Sequence, residues 1–255
     1  LYGEPYTHCD PATSKAIPLK LNSDTEAVLT RNTVGEVYSS ILSDLVEAEK
    51  YLNVDKWELG YNYRFTTLAV NALRSRVYLY MGDWAKSFEA SEAVLSVNNQ
   101  LVDMSSSTIL PNEYNSSENI LALEEVMNAQ YVRAAKVATS LWKLYGTGDL
   151  RKSKYFKQVT ASNIQVIKGG SNQYRCSFRV GEIYLNAAEA AFYLNELGVA
   201  SYNGRSTKTI ALDYINRIRQ RAGGDVFKLT ENELTFNRIV NERRVELAFE
   251  DHRYE

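Results

Sequence analysis

The stretch LAVNALRSRVYLYMGDWAKSFEASEAVLS, residues 68–96, decides the fold. Its first half sets Ala69, Ala72, Leu73, Val77 and Tyr80 at the spacing of a helix buried along one face. Gly82 ends that helix, because glycine accepts the left-handed conformation favoured just past a helix C-terminus. Asp83 caps a second helix, whose apolar face holds Trp84, Phe88 and Leu95. Two helices joined by so short a turn fold back as an αα-hairpin, and Ser75 and Ser87 are small enough to let the backbones approach closely. Small residue, aromatic, Gly-Asp-aromatic, small residue, leucine is the order of a tetratricopeptide repeat. That order speaks to fold and hardly at all to function.

Upstream, Thr33 and Glu36 form a capping box that opens a helix with Val34, Val37, Tyr38, Ile41, Leu42, Leu45, Ala48 and Leu52 as its stripe. A linker with Gly60 covers residues 53–64, and the first 30 residues, with Pro5, Pro11 and Pro18, read as loop. Downstream, residues 99–173 are irregular and rich in aromatics. ILALEEVMNAQ reads as a strand entering a short helix, Gly146 and Gly148 mark a break, and QVTASNIQVIKGGSNQYR reads as a hairpin or extended segment. Helical periodicity returns at FRVGEIYLNAAEAAFYLNEL, with Val180, Ile183, Tyr184, Ala187, Ala188, Ala191 and Leu194 on one face. After the polar loop VASYNGRSTK, TIALDYINRIRQRAGG completes a second hairpin closed by Gly223. Thr230 and Glu233 offer another capping box, expected to open one long helix that runs to Arg253. The expected fold is all-α or mainly α: tetratricopeptide-like hairpins in an α superhelix, with short strands in the middle. It forms one domain over 1–255, with helices at 31–98, the irregular segment at 99–173, and further hairpin and helix at 174–255.

Composition narrows the function. The 29 basic and 31 acidic residues balance to −2 with no basic stripe, so nucleic acid is a poor partner. No apolar run is long enough to span a bilayer, and with no basic stretch followed by an apolar run at residues 1–30, no signal peptide is expected there. Cys9 and Cys176 are far apart, as are His8 and His252, so neither a metal nor another cofactor is expected; the cysteines fit two separate thiols better than a disulfide. Tyrosine is abundant, 18 against 8 Phe and 3 Trp, and an amphipathic ring suits both helix packing and sugar-facing surfaces.

The last helix carries the sharpest motif. NERRVELAFEDHRY resembles the C-terminal signature of the SusD/RagB family at Glu242, Arg243, Arg244, Glu246, Leu247, Phe249, Glu250 and Arg253. NTVGEVYSSILSDLVEAEKYL, NALRSRVYLYMGDWAKS, SENILAL with LWKLYGTGDLRKSKYF, and RVGEIYLNAAEA with INRIRQRAG are similar to the family's successive segments, in order, over most of residues 18–254. On a helix Glu242 and Glu246 lie one turn apart. The guanidinium fork of Arg243 or Arg244 suits a bidentate clamp to neighbouring carboxylates, a structural role preferred here over ligand binding. The family is usually about twice this long, with an acylated lipoprotein cysteine near its start. Cys9 has no apolar run before it, so the chain is expected to be a fragment.

The resemblance implies a surface-exposed, lipid-anchored outer-membrane protein that captures glycans and delivers them to a partner TonB-dependent transporter, on which it sits as a lid. The lipid anchor would lie outside this chain and be its sole link to the membrane. Sugar sites need flat aromatic faces beside polar groups. In the middle segment that points to Tyr114, Tyr131 and Trp142 with Asn128 and Arg133, and in the first linker to Trp57 and Tyr61. The alternative is a protein-interaction scaffold that uses its hairpins alone. Catalysis is the weakest reading: Glu124 and Glu125 are adjacent, so on a helix they diverge by about 100° instead of flanking a bond.

Overall fold

Gly82 turns the chain with φ 73°, and its amide bonds back to Leu79 and Tyr78. A computed structural model describes residues 3–124, 136–160, 163–168 and 174–250. On either side of the turn lie α2 (Thr67–Met81) and α3 (Trp84–Leu95), capped by the side chains of Thr66 and Asp83. The serines do more than stand aside. Ser87 Oγ donates to Ser75 O at 2.9 Å, and the Ser75 and Ser91 hydroxyls meet at 2.7 Å. Small side chains bring the backbones together, and their hydroxyls satisfy one another where water is excluded.

Helix α1 (Val34–Glu49) begins at the expected capping box, with Thr33 and Glu36 bonding reciprocally. It packs on α2, α2 on α3, α3 on α6 (Val180–Glu196), and α6 on α7 (Thr207–Gly223). The last helix, α8 (Phe236–Glu246), lies against α6 and α7. The chain is mainly α. Helix α6 is central: every residue from Val180 to Ala191 is buried, not one face alone, because α2, α3, α7, α8 and a strand surround it. Tyr80, expected in the core, is exposed; α2 instead buries Leu68, Val70 and Leu79, which serve its contacts on both sides.

Between α3 and α6 the chain builds a second, smaller layer. Strand β1 (Asn119–Glu124) pairs antiparallel with β4 (Tyr174–Arg179), and β2 (Phe156–Thr160) with β3 (Asn163–Val166), the hairpin of the two forms the sequence allowed. The glycine break separates α4 (Thr139–Trp142) from α5 (Leu150–Tyr155), with Gly148 at φ 85°. The helix expected after β1 lies outside the described residues. A second core forms from Met104, Tyr145, Tyr155, Phe156, Ile164 and Val166 against Val245 and Ala248 at the end of α8.

Three boundaries differ from the sequence reading. The capping box at Thr230 and Glu233 closes only a 3-10 turn, and α8 starts later, capped by Thr235. Leu234 between them is extended and buried, so tertiary packing overrides helical continuity. The polar loop before α7 contains a small hairpin, β5 (Ser201–Tyr202) with β6 (Arg205–Ser206). Gly224, not Gly223, takes the positive φ of 77° after α7, while an added Cβ on Gly223 would lie 2.3 Å from the Phe227 ring.

Candidate ligand-binding surface

The signature helix is explained by burial. Glu242 accepts from Arg151 at 2.5 Å and from Arg219 at 2.6 Å. Glu246 accepts from Arg151 at 3.1 Å and Arg179 at 2.8 Å, and also from Arg221. Glu250 pairs with Arg179 at 2.7 Å and with Lys168. Asp149 on Arg151 and Glu118 on Arg179 and Arg221 complete a cluster of five cations and five carboxylates. The bidentate clamp was expected from the arginines of the motif, but its glutamates carry most of it. Arg243 reaches Glu189 at 3.0 Å and Asn186 at 2.8 Å, and Arg244 is exposed. Asn186 in turn donates to Ser75 Oγ at 3.0 Å, so one polar chain joins α8, α6, α2 and α3.

Burial alone would raise the Glu246 carboxyl, but Arg221, Arg179 and Arg151 hold it well below the usual carboxylate range. Lys168 goes the other way. Desolvation dominates and lowers it to about 8, although Glu250 and Glu246 favour its charge. Its ammonium donates to the carbonyls of Glu246 at 2.7 Å and Ala248 at 3.0 Å, which the end of α8 leaves unpaired. Phe249 then turns the chain at φ 62°, an uncommon conformation for a bulky residue, and its ring packs on Phe156. These groups lie buried, and their chemistry is structural.

An exposed aromatic surface lies in the linker between α1 and α2. Trp57, Leu59, Tyr61, Tyr63 and Phe65 occur at every second position of WELGYNYRF. Tyr61 is 43% exposed and Phe65 52%. Arg64 lies over this group, 4.7 Å from the Tyr61 ring centroid, 5.1 Å from Trp57 and 5.9 Å from Tyr63. The loop is anchored from below: Trp57 Nε1 donates to Phe65 O at 3.3 Å, and Asn62 Nδ2 to Tyr114 O at 2.6 Å. The Ala122 amide of β1 donates to Asn62 O at 2.9 Å. The linker and the 110–119 loop thus form one surface. In that second loop the side-chain oxygens of Asn112, Asn115 and Asn119 are buried and accept from no protein group among the described residues.

The expected site residues therefore divide. Trp57, Tyr61 and the half-buried Tyr114 belong to joined loops. Trp142 packs on Phe156 in the second core, and the Lys152 ammonium lies 4.5 Å from its ring centroid. Asn128, Tyr131 and Arg133 lie outside the described residues, as do Glu125 and Arg253. Sequence reading passed over Arg64, Tyr63 and Phe65, although the alternation of large apolar side chains in a polar linker was a visible signal. A polar cleft of about 600 Å³ opens beside Tyr184 and Tyr214, but these rings meet edge to face at 5.5 Å and the Tyr214 hydroxyl is bound to Glu92. Among the described residues no cluster of His, Cys, Asp and Glu is arranged to hold a metal, and no helix is long and apolar enough to cross a membrane.

A helical stack with an inserted small β layer, clasped by a buried ionic cluster and bearing an aromatic loop, defines a mainly α protein class built on helical hairpins. The chain belongs to the SusD family, whose model matches residues 73–255. Residues 2–79 match a second model, described as starch-binding associating with outer membrane. No curated protein sequence matches the chain. Among solved structures, a SusD superfamily protein from Bacteroides thetaiotaomicron is similar at 24% identity and TM-score 0.76, covering 97% of this chain and 60% of that one. A SusD-like carbohydrate binding protein from Bacteroides vulgatus is similar at 23% identity and TM-score 0.69, over 92% of this chain and 54% of that one. Surface glycan-binding protein A from Bacteroides uniformis is 16% identical at TM-score 0.73, over 93% and 60%. The chain thus spans 54–60% of the length of these relatives.

Proposed function

We propose that this chain is the larger part of a non-catalytic glycan-capture protein of the outer membrane, with the 57–65 loop as a sugar platform. The observation that carries the reading is the cluster of Trp57, Tyr61, Tyr63 and Phe65, held in place from beneath by Asn62. Pyranose rings present apolar C–H faces that stack on aromatic rings, while their hydroxyls need donors and acceptors nearby. The names of similar structures, a carbohydrate binding protein and a surface glycan-binding protein, support the same reading. Tyr114 belongs to this site through its loop, and Asn128, Tyr131, Arg133 and Trp142 are proposed as a further contact region on the middle segment. The whole protein would be lipid-anchored at the cell surface and deliver its glycan to a TonB-dependent transporter, with the helical hairpins facing that partner.

The test is affinity electrophoresis and calorimetry of the purified chain against a panel of polysaccharides, beside the Trp57→Ala and Tyr61→Ala variants. Binding weakened about tenfold or more by either substitution, at unchanged melting temperature, is the expected result. Equal affinity in all forms would remove the loop from the site. Capture of the transporter without any glycan signal would favour the scaffold reading, and turnover of a polysaccharide would overturn the non-catalytic one.

A further inference from the structure

We infer that the glycan held on the 57–65 loop is anionic, and that Arg64 pairs with its carboxylate or sulfate group. This rests on the reading of that loop as the sugar platform. Arg64 differs from most arginines of the fold in what surrounds it. Arg74 pairs with Glu49, Arg76 with Glu182, Arg205 with Asp213 and Arg243 with Glu189, and the arginines of the buried cluster all face carboxylates. Arg64 is exposed, and its guanidinium meets aromatic rings with no carboxylate partner among the described side chains. The acidic residues of its own linker are directed elsewhere or stand in solvent: Asp55 accepts from the Thr67 hydroxyl, and Glu58 is exposed.

The chemistry follows from the shape of the guanidinium. Aromatic faces attract the cation and restrict the plane of the group, while its N–H donors remain at the edge. A fork oriented in this way matches a planar carboxylate or two sulfate oxygens bidentately. A neutral sugar would gain ring stacking from Trp57 and Tyr61 but nothing from the Arg64 charge, which meets no carboxylate among the described side chains. An acidic sugar gains both, from residues three to seven positions apart in one loop. Because Arg64 is exposed, the ionic part of the affinity weakens with salt.

Matched probes test this: oligogalacturonate against its methyl-esterified form, and a heparin oligosaccharide against its desulfated, N-acetylated form, each titrated into the wild-type chain at two salt concentrations. The expected result is that the more highly charged member of at least one pair binds about tenfold more tightly, and that salt narrows the difference. Which pair responds distinguishes carboxylate from sulfate. Arg64→Ala should abolish the preference while leaving the melting temperature unchanged, and Arg64→Lys should restore part of it. Equal affinity for both members of each pair, with Trp57→Ala still weakening binding, would overturn the anionic assignment and leave the glycan platform standing. A preference that survives Arg64→Ala would overturn the role of Arg64. No binding to these probes or to any neutral polysaccharide by the folded chain would overturn the platform reading, and this inference with it.

Discussion

Arg179 and Glu246 meet at 2.8 Å, 67 residues apart in sequence, with both side chains sealed from solvent. Arg179 ends β4 and Glu246 ends α8, so the contact ties the inserted β layer to the last helix. Its neighbours Arg151, Arg221, Glu118 and Glu250 extend the tie to α5, α7 and the residue just before β1. A buried ion pair gains little over a well-packed apolar pair, yet losing one member is severe because the other stays buried and unpaired.

Glu246→Ala therefore leaves three guanidinium groups short of a partner and should destabilise the chain by about 3–5 kcal/mol. Urea unfolding followed by circular dichroism measures this. A loss below about 1 kcal/mol would mean that water reaches the cluster and replaces the carboxylate.

Gly181 sits one residue into α6, where an added Cβ would lie 2.1 Å from Arg179 Nη1 and 2.9 Å from Glu118 Oε2. Glycine to alanine in an ordinary helix gains about 1 kcal/mol. Gly181→Ala should instead lower the melting temperature, since the methyl group displaces a buried ion pair. A rise in melting temperature would show that the cluster can relax around it.

Lys168 titrates at about 8 in the fold, lowered chiefly by burial, against an ordinary value of 10.5. Glu250, Glu246, Arg179 and the Tyr155 ring face it. Between these two values the unfolded chain binds more protons, so this residue's contribution to stability rises with pH across that window. The cost of keeping its charge buried is present in full below about pH 8. Chemical denaturation across pH 7.5–10.5 should show this component flattened in Lys168→Met, and identical slopes would refute it.

Asn62 holds the aromatic loop through one bond to Tyr114 O. Asn62→Ala removes about 1 kcal/mol of positioning, touches no ring, and should lower glycan affinity several-fold with little change in global stability. Unchanged affinity would show that the rings are held by their own packing.

Local signals were legible where one rule acted alone. Gly82 and Asp83 gave the α2–α3 turn, Thr33 and Glu36 gave the start of α1, and β-branched alternation marked the extended segment that becomes the β2–β3 hairpin. They misled where packing outweighed them: Thr230 and Glu233 form their capping box, yet the buried Leu234 is extended and delays α8. That Trp142 packs on Phe156 with Lys152 beside its ring was not legible in the sequence, because those contacts depend on how α4, α5 and β2 fold together.

The αα-hairpin at residues 68–96 was determined by sequence, since helix periodicity and a glycine–aspartate turn involve only near neighbours. The order of motifs ending in NERRVELAFEDHRY likewise pointed to the SusD family. Tertiary structure alone decided what that motif does. Its glutamates are charged residues on a short helix until Arg151, Arg179 and Arg221 arrive from elsewhere in the chain. The same holds for Arg64: its place over three rings is local, but the bond from Asn62 to Tyr114, 52 residues away, makes the loop a surface. Charge and ring chemistry acts over a few ångströms, and sequence does not reveal which distant groups come that close.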